Sequence, residues 1–170
     1  MFKKMLVLAT TLALTAGVPV GSHAGAAQRG FLCSLAGTAK FSPGLSATAT
    51  DGKYTFTGTL SNCQSTDSSM TSATVKAAGG GSVSCATGTT TGTAVIKWSN
   101  HKTTAVSITT TDVAAGVQVT ATVTKSNEAA TPVGDKAYGV LAFNADATKC
   151  NSGGIDSATF QGLVGGGSPS

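Results

Sequence analysis

Cys33, Cys63, Cys85 and Cys150 are the residues best equipped for covalent chemistry in this chain. They are even in number, and none sits in a C-x-x-C pair. In an exported protein that pattern reads as two disulfides. Four cysteines allow three pairings. If the strands run up and down in order, Cys33 and Cys63 fall at one end, and Cys85 and Cys150 at the other. This favours Cys33–Cys63 with Cys85–Cys150 over Cys63–Cys85 with Cys33–Cys150.

The remaining reactive side chains form no recognisable catalytic set. His101 is the one histidine beyond the leader, and it falls at a polar hairpin tip. No G-x-S-x-G surrounds a serine that it could activate. Asp51, Asp67, Asp112, Glu128, Asp135, Asp146 and Asp156 all fall in expected loops or strand ends. A glycosidase would need two of them across a cleft. One histidine and scattered cysteines do not make a zinc site. Gly79-Gly80-Gly81 lacks the G-K-[ST] that completes a phosphate loop. Asn144, Asp146 and Asn151 match an Asx-rich turn better than a calcium loop. The chain is therefore expected to need no cofactor or metal and to be non-enzymatic. A hydrolase using loop carboxylates such as Asp135 or Asp146 is the alternative.

Trp98 is the only tryptophan and the most ambiguous residue. A tryptophan on a β-face can stack on a sugar or anchor a partner. It also lies in phase with Ile96 and Ala94, which places it in the core or at its edge. Its arm, Ala94 to Trp98, alternates with period two, as does Thr104 to Ile108. Matching apolar to apolar across the hairpin centres the turn on His101, with a three-residue loop Asn100–Lys102. Trp98 then faces Thr104, Ile96 faces Val106 and Ala94 faces Ile108.

The elements that must carry these residues are short strands. Ser34 to Phe41 is the first, interrupted by Ser42-Pro43-Gly44. After a turn at Asp51-Gly52, Tyr54, Phe56, Gly58 and Leu60 alternate with Thr55, Thr57 and Thr59, the first set reading as core. A third strand around Ala73, Val75 and Ala77 is expected to end at the triple glycine. The hairpin supplies two more, and Val117–Val123, Tyr138–Phe143 and Ala158–Val164 complete eight. No segment sustains a helical period. The fold class is all-β: an antiparallel β-sandwich, or a barrel, of about eight strands with two disulfides, the sandwich preferred.

Residues 1–26 have the parts of a secretory signal peptide: Lys3 and Lys4, an apolar run from Met5 to about Val20, and a small-residue end at Ala24-Gly25-Ala26. Sixteen apolar residues fall short of the roughly 20 that span a bilayer. Residues 27–164 make one secreted domain, and 165–170 a flexible tail. Of eleven basic residues, losing Lys3 and Lys4 leaves nine against seven acidic ones, a formal net charge of +2. No basic cluster supports nucleic-acid binding, and no membrane span is expected once the leader is removed.

Three segments carry a family resemblance: YTFTGTLSNC from Tyr54 to Cys63, GSVSC from Gly81 to Cys85, and AVIKWSN from Ala94 to Asn100. Together they resemble small secreted β-rich proteins of high-GC Gram-positive bacteria such as actinomycetes. The resemblance covers most of the mature chain. It implies export and β architecture, and it transfers no functional residue. The functional expectation is a secreted, extracellular module binding a polysaccharide or protein ligand through loops or a strand face, Trp98 being one candidate contact. A secreted inhibitor presenting the loop Ser126–Lys136 is the other non-enzymatic option.

Overall fold

The structure, a computed structural model, describes residues 30–113 and 116–167. The expected signal peptide, 1–26, lies outside these residues, as does the end of the tail. Among the described residues no helix is long and apolar enough to cross a membrane.

Eight strands run up and down in sequence order: β1 Phe31–Leu45, β2 Thr50–Ser65, β3 Ala73–Val83, β4 Gly88–Trp98, β5 Thr103–Val113, β6 Gly116–Ser126, β7 Lys136–Asn144 and β8 Ile155–Gly166. A short 3-10 helix, Ala147–Asn151, lies between β7 and β8. Each strand pairs antiparallel with its neighbour, and β1 pairs with β8 from Phe31↔Gly166 to Lys40↔Ser157. That last ladder closes the sheet into a barrel, so the preferred sandwich is corrected. Closure leaves no unpaired edge, whereas alternation along single strands is the same in either architecture.

Alternation assigns the faces as expected. Leu35, Leu60, Val75, Ala94, Val106, Val123, Leu141 and Phe160 point inward and are buried. Thr55, Thr57, Thr59, Lys40, Lys76 and Lys97 point outward and are exposed. An apolar inside and a polar, lysine-bearing outside is the reverse of the lipid-facing pattern of a membrane barrel.

Several strand limits differ from the sequence-based ones. β1 runs through Pro43: the ladder to β8 breaks between Lys40 and Leu45, and the ladder to β2 ends at Ser42. Asp51-Gly52 lies inside β2, where the two residues pair with Ser82 and Gly81. Gly79-Gly80-Gly81 does not end β3 but runs between β2 and β4. Neighbouring backbone leaves no room for a Cβ at any of the three, and the Tyr54 ring adds to this: a Cβ at Gly79 would stand 2.8 Å from its Cε1, and one at Gly92 2.7 Å from its hydroxyl. Those glycines are the slot into which the ring folds.

The central hairpin also needs a correction. Ala94 faces Val106, Ile96 faces Thr104 and Gly92 faces Ile108, two residues away from the expected pairing. The loop is three residues long, as expected, but it is Ser99–His101, flanked by the Trp98 N–H bond to the Lys102 carbonyl at 2.9 Å. His101 takes φ of 64°, the left-handed residue that completes this loop type. An even shift keeps every side chain on its face, so the core assignment survives the register error.

Candidate functional site

Both disulfides follow the favoured pairing, Cys33–Cys63 and Cys85–Cys150. The first requires a local defect. Cys63 shares its parity with the outward Thr55, Thr57 and Thr59, yet its sulfur must reach the inward Cys33. The β1–β2 register shifts between Leu32 and Ser34, opposite Asn62 at φ 50°. This bulge inserts one residue and turns Cys63 inward, and asparagine tolerates the left-handed conformation. The second bridge ties the β3–β4 turn to the 3-10 helix, across one end of the barrel.

The two ends of the barrel are built differently. One end carries the loops 66–72, 99–102 and 127–135, which knit together. Trp98, 2 % exposed, donates its indole N–H to Thr104 Oγ1 at 2.9 Å. Thr104 Oγ1 also meets Thr131 Oγ1 at 2.8 Å and Ser126 Oγ at 3.1 Å. Phe31 packs edge-on to the indole at 5.4 Å. Above this layer Glu128 is buried. Its Oε1 accepts from the Ala130 N–H at 3.0 Å, its Oε2 from Asn100 Nδ2 at 2.7 Å, and Lys102 Nζ lies 3.4 Å away. Each oxygen of this buried carboxylate thus finds a donor, which such a group needs to be tolerated. Asp67, partly exposed, is held below the usual carboxylate range by the Ser69 hydroxyl and backbone N–H, with Lys102 adding a smaller pull.

Inside the barrel lies a cavity of about 680 Å³. It extends from Trp98, Thr104 and Thr131 at the knitted end to Val83, Ala86 and Val113 at the other. Its walls are apolar: Leu35, Phe41, Phe56, Ile108, Val119 and Phe160 among others. Phe160 meets Phe56 at 6.4 Å and Phe143 at 5.3 Å, edge to face. Small inward residues, Ala39, Ala77, Ala94 and Ala121, leave the space empty where larger ones would fill an eight-stranded barrel.

Near the second end the lining turns polar. Thr90 and Thr110 share a hydrogen bond at 2.7 Å. The Tyr54 hydroxyl is buried and forms no hydrogen bond of its own. Burial raises the Tyr54 pKa, with the neighbouring Thr90 hydroxyl acting weakly the other way. Asp112 is half-buried, and its carboxyl is raised above the ordinary range by desolvation. It is the one Asp, Glu, Lys, Arg or His in the cavity wall.

The other sequence candidates are dispersed. Trp98 is in the core, as its phase implies, and forms the cavity floor rather than an outer platform. Asp135 and Asp146 flank opposite ends of β7, a nine-residue strand spanning roughly 30 Å. Asp146 caps the 3-10 helix, accepting from the Thr148 N–H at 3.0 Å and its hydroxyl at 2.6 Å. Those hydrogen bonds lower its pKa, with Lys149 helping less. Among the described residues no three His, Cys, Asp or Glu gather as a metal site. The loop Ser126–Lys136 is a lid rather than a projecting loop, since Glu128, Ala130, Thr131 and Asp135 are buried. The cavity and Asp112's place in it escaped sequence reading. Alternation marks inward residues but not whether they meet across a barrel. The one available signal was Asp112 falling in phase with Val106, Ile108 and Thr110.

Compared with protein-family models, curated proteins and solved structures, the chain matches none.

Proposed function

We propose that this chain is a secreted, non-enzymatic binding module that takes one small, largely apolar molecule from its extracellular surroundings into the barrel. The observation that carries this reading is the aromatic-lined cavity of about 680 Å³. Binding sites for small molecules fall in the range of roughly 300–1,000 Å³ and are mostly apolar with few polar groups. Two disulfides support an oxidising compartment. The distance between Asp135 and Asp146 favours binding over hydrolysis by that pair.

Trp98 at the cavity floor is a built-in reporter. Titrating the oxidised protein with decanol should change tryptophan fluorescence saturably, at one equivalent. A probe that leaves the fluorescence and the melting temperature unchanged at every concentration, together with organic extracts of the native protein that contain no small molecule, would defeat the reading.

A protein partner on the outer wall is the second reading. It is favoured by one observation, the exposed Tyr138, Val140 and Leu163 on β7 and β8, with Val140 directly opposite Leu163. Retention on immobilised culture-supernatant proteins, lost on Leu163→Lys, would support it over the cavity.

A further inference from the structure

We infer that the cavity's ligand is an amphipathic organic cation, an amine with an apolar body, whose charged group sits between Asp112, Tyr54, Thr90 and Thr110. This rests on the cavity reading above and specifies what the cavity takes. A carboxylate withdrawn from water is costly unless it is paired or hydrogen-bonded. At the knitted end that rule is obeyed, with two donors and an ammonium around Glu128. Asp112 has no comparable partner: its carboxylate makes no ion pair or side-chain hydrogen bond among the described residues. The wall around it offers Val117 on the paired strand and Gly88, where a Cβ would stand 3.1 Å from Oδ2.

The groups nearby all suit a donor. The Thr90 and Thr110 hydroxyls satisfy one another through one hydrogen bond and keep lone pairs free. The Tyr54 hydroxyl is buried and completes no hydrogen bond, the Thr90 hydroxyl being the one group that acts on it. An ammonium offers three donors and a unit charge, and so matches one carboxylate and several neutral hydroxyl oxygens. A divalent metal would need more hard ligands than one carboxylate. A carboxylate or phosphate head would meet Asp112 as a like charge, with no Lys, Arg or His in the wall to offset it. The remaining lining is mostly apolar, with Ser84, Thr87, Thr104 and Thr131 adding hydroxyls at the two ends, which suits an alkyl or aromatic body.

The experiment compares decylamine, decanol and decanoate, each below its micellar concentration, binding to the oxidised full chain. The readouts are Trp98 fluorescence and calorimetry. Decylamine should bind at least about tenfold more tightly than decanol, the scale of one charge-assisted hydrogen bond, and decanoate most weakly. Asp112→Asn should abolish the preference for the amine, and Tyr54→Phe should reduce it by a smaller factor. Decanol or decanoate binding as tightly as decylamine overturns the inference and leaves the cavity reading standing. A preference that survives Asp112→Asn also overturns it. If none of the three binds, the cavity reading falls as well. The three-ligand comparison on the unaltered chain decides the matter even if a variant fails to fold.

Discussion

Each end of the barrel holds a carboxylate out of full contact with water, Glu128 at one and Asp112 at the other, and the two are treated in opposite ways. Glu128 is enclosed by Asn100, Ala130 and Lys102, beside a tryptophan whose indole N–H is also satisfied. Asp112 is left among apolar neighbours and two mutually bonded threonines. A fold selected only for stability has reason to build the first and none to build the second. The contrast teaches that one end is a structural plug, while the other holds polar groups back for something outside the chain. Small inward residues between them keep the space open.

The largest effect should come from removing the plug. Trp98→Ala deletes the biggest buried side chain and one of the three side-chain partners of Thr104, so we expect a loss of about 3–5 kcal/mol in denaturant unfolding. A loss below about 1 kcal/mol would show that the knitted end is not what holds the barrel together. Next, replacing both Cys85 and Cys150 by serine should cost about 2–4 kcal/mol, since the bridge closes a separation of 65 residues. Urea midpoints compared with the Cys33/Cys63 double-serine variant would show which end depends more on its bridge.

Two carboxylate substitutions test the contrast directly and should differ in sign. Glu128→Ala leaves the Ala130 N–H without its acceptor and Asn100 Nδ2 with Ser69 Oγ alone, a loss of about 1–3 kcal/mol. Asp112→Asn should instead stabilise the empty protein slightly, by less than about 1 kcal/mol given its partial exposure. Equal signs would break the comparison.

The smallest effect is in pH. Asp112's folded pKa is raised, so the folded chain holds its proton at a pH where the unfolded chain has released it. Ionisation there costs stability, and the cost disappears as pH falls through the raised value toward the ordinary one of about 3.9. Asp67 and Asp146 have lowered values and contribute the other way: their stabilisation is present above the ordinary value and lost as pH falls through the lowered one. The melting-temperature gap between Asp112→Asn and the unaltered protein should therefore shrink between about pH 7 and about pH 4. A gap that widens on acidification would contradict the burial of Asp112.

Much of the fold is legible in the residues themselves. Period-two alternation is a property of single strands, and it placed Leu60, Val75, Ala94, Val106 and Trp98 inside without any knowledge of their partners. Strands running up and down in order suffice to put Cys33 near Cys63 and Cys85 near Cys150. What alternation cannot carry is distance between strands. The hairpin slipped by two because matching apolar to apolar pairs Ile96 with Val106, whereas the barrel sets Ile96 opposite Thr104, with the left-handed His101 completing the loop. The triple glycine read as a stop because its use, room for the Tyr54 ring at Gly79 and close backbone approach at Gly80 and Gly81, depends on the neighbouring strands. The bulge at Asn62 was invisible for the same reason, since it exists to turn Cys63 toward Cys33. Closure is the most non-local of all. Residues 31–40 and 157–166 pair across nearly the whole chain, and no local pattern records that ladder. From closure follow the cavity, the plug and the isolation of Asp112. Local alternation thus determined what faces inward, and only the tertiary structure decided that the inside is a hollow with one unpaired charge at its end.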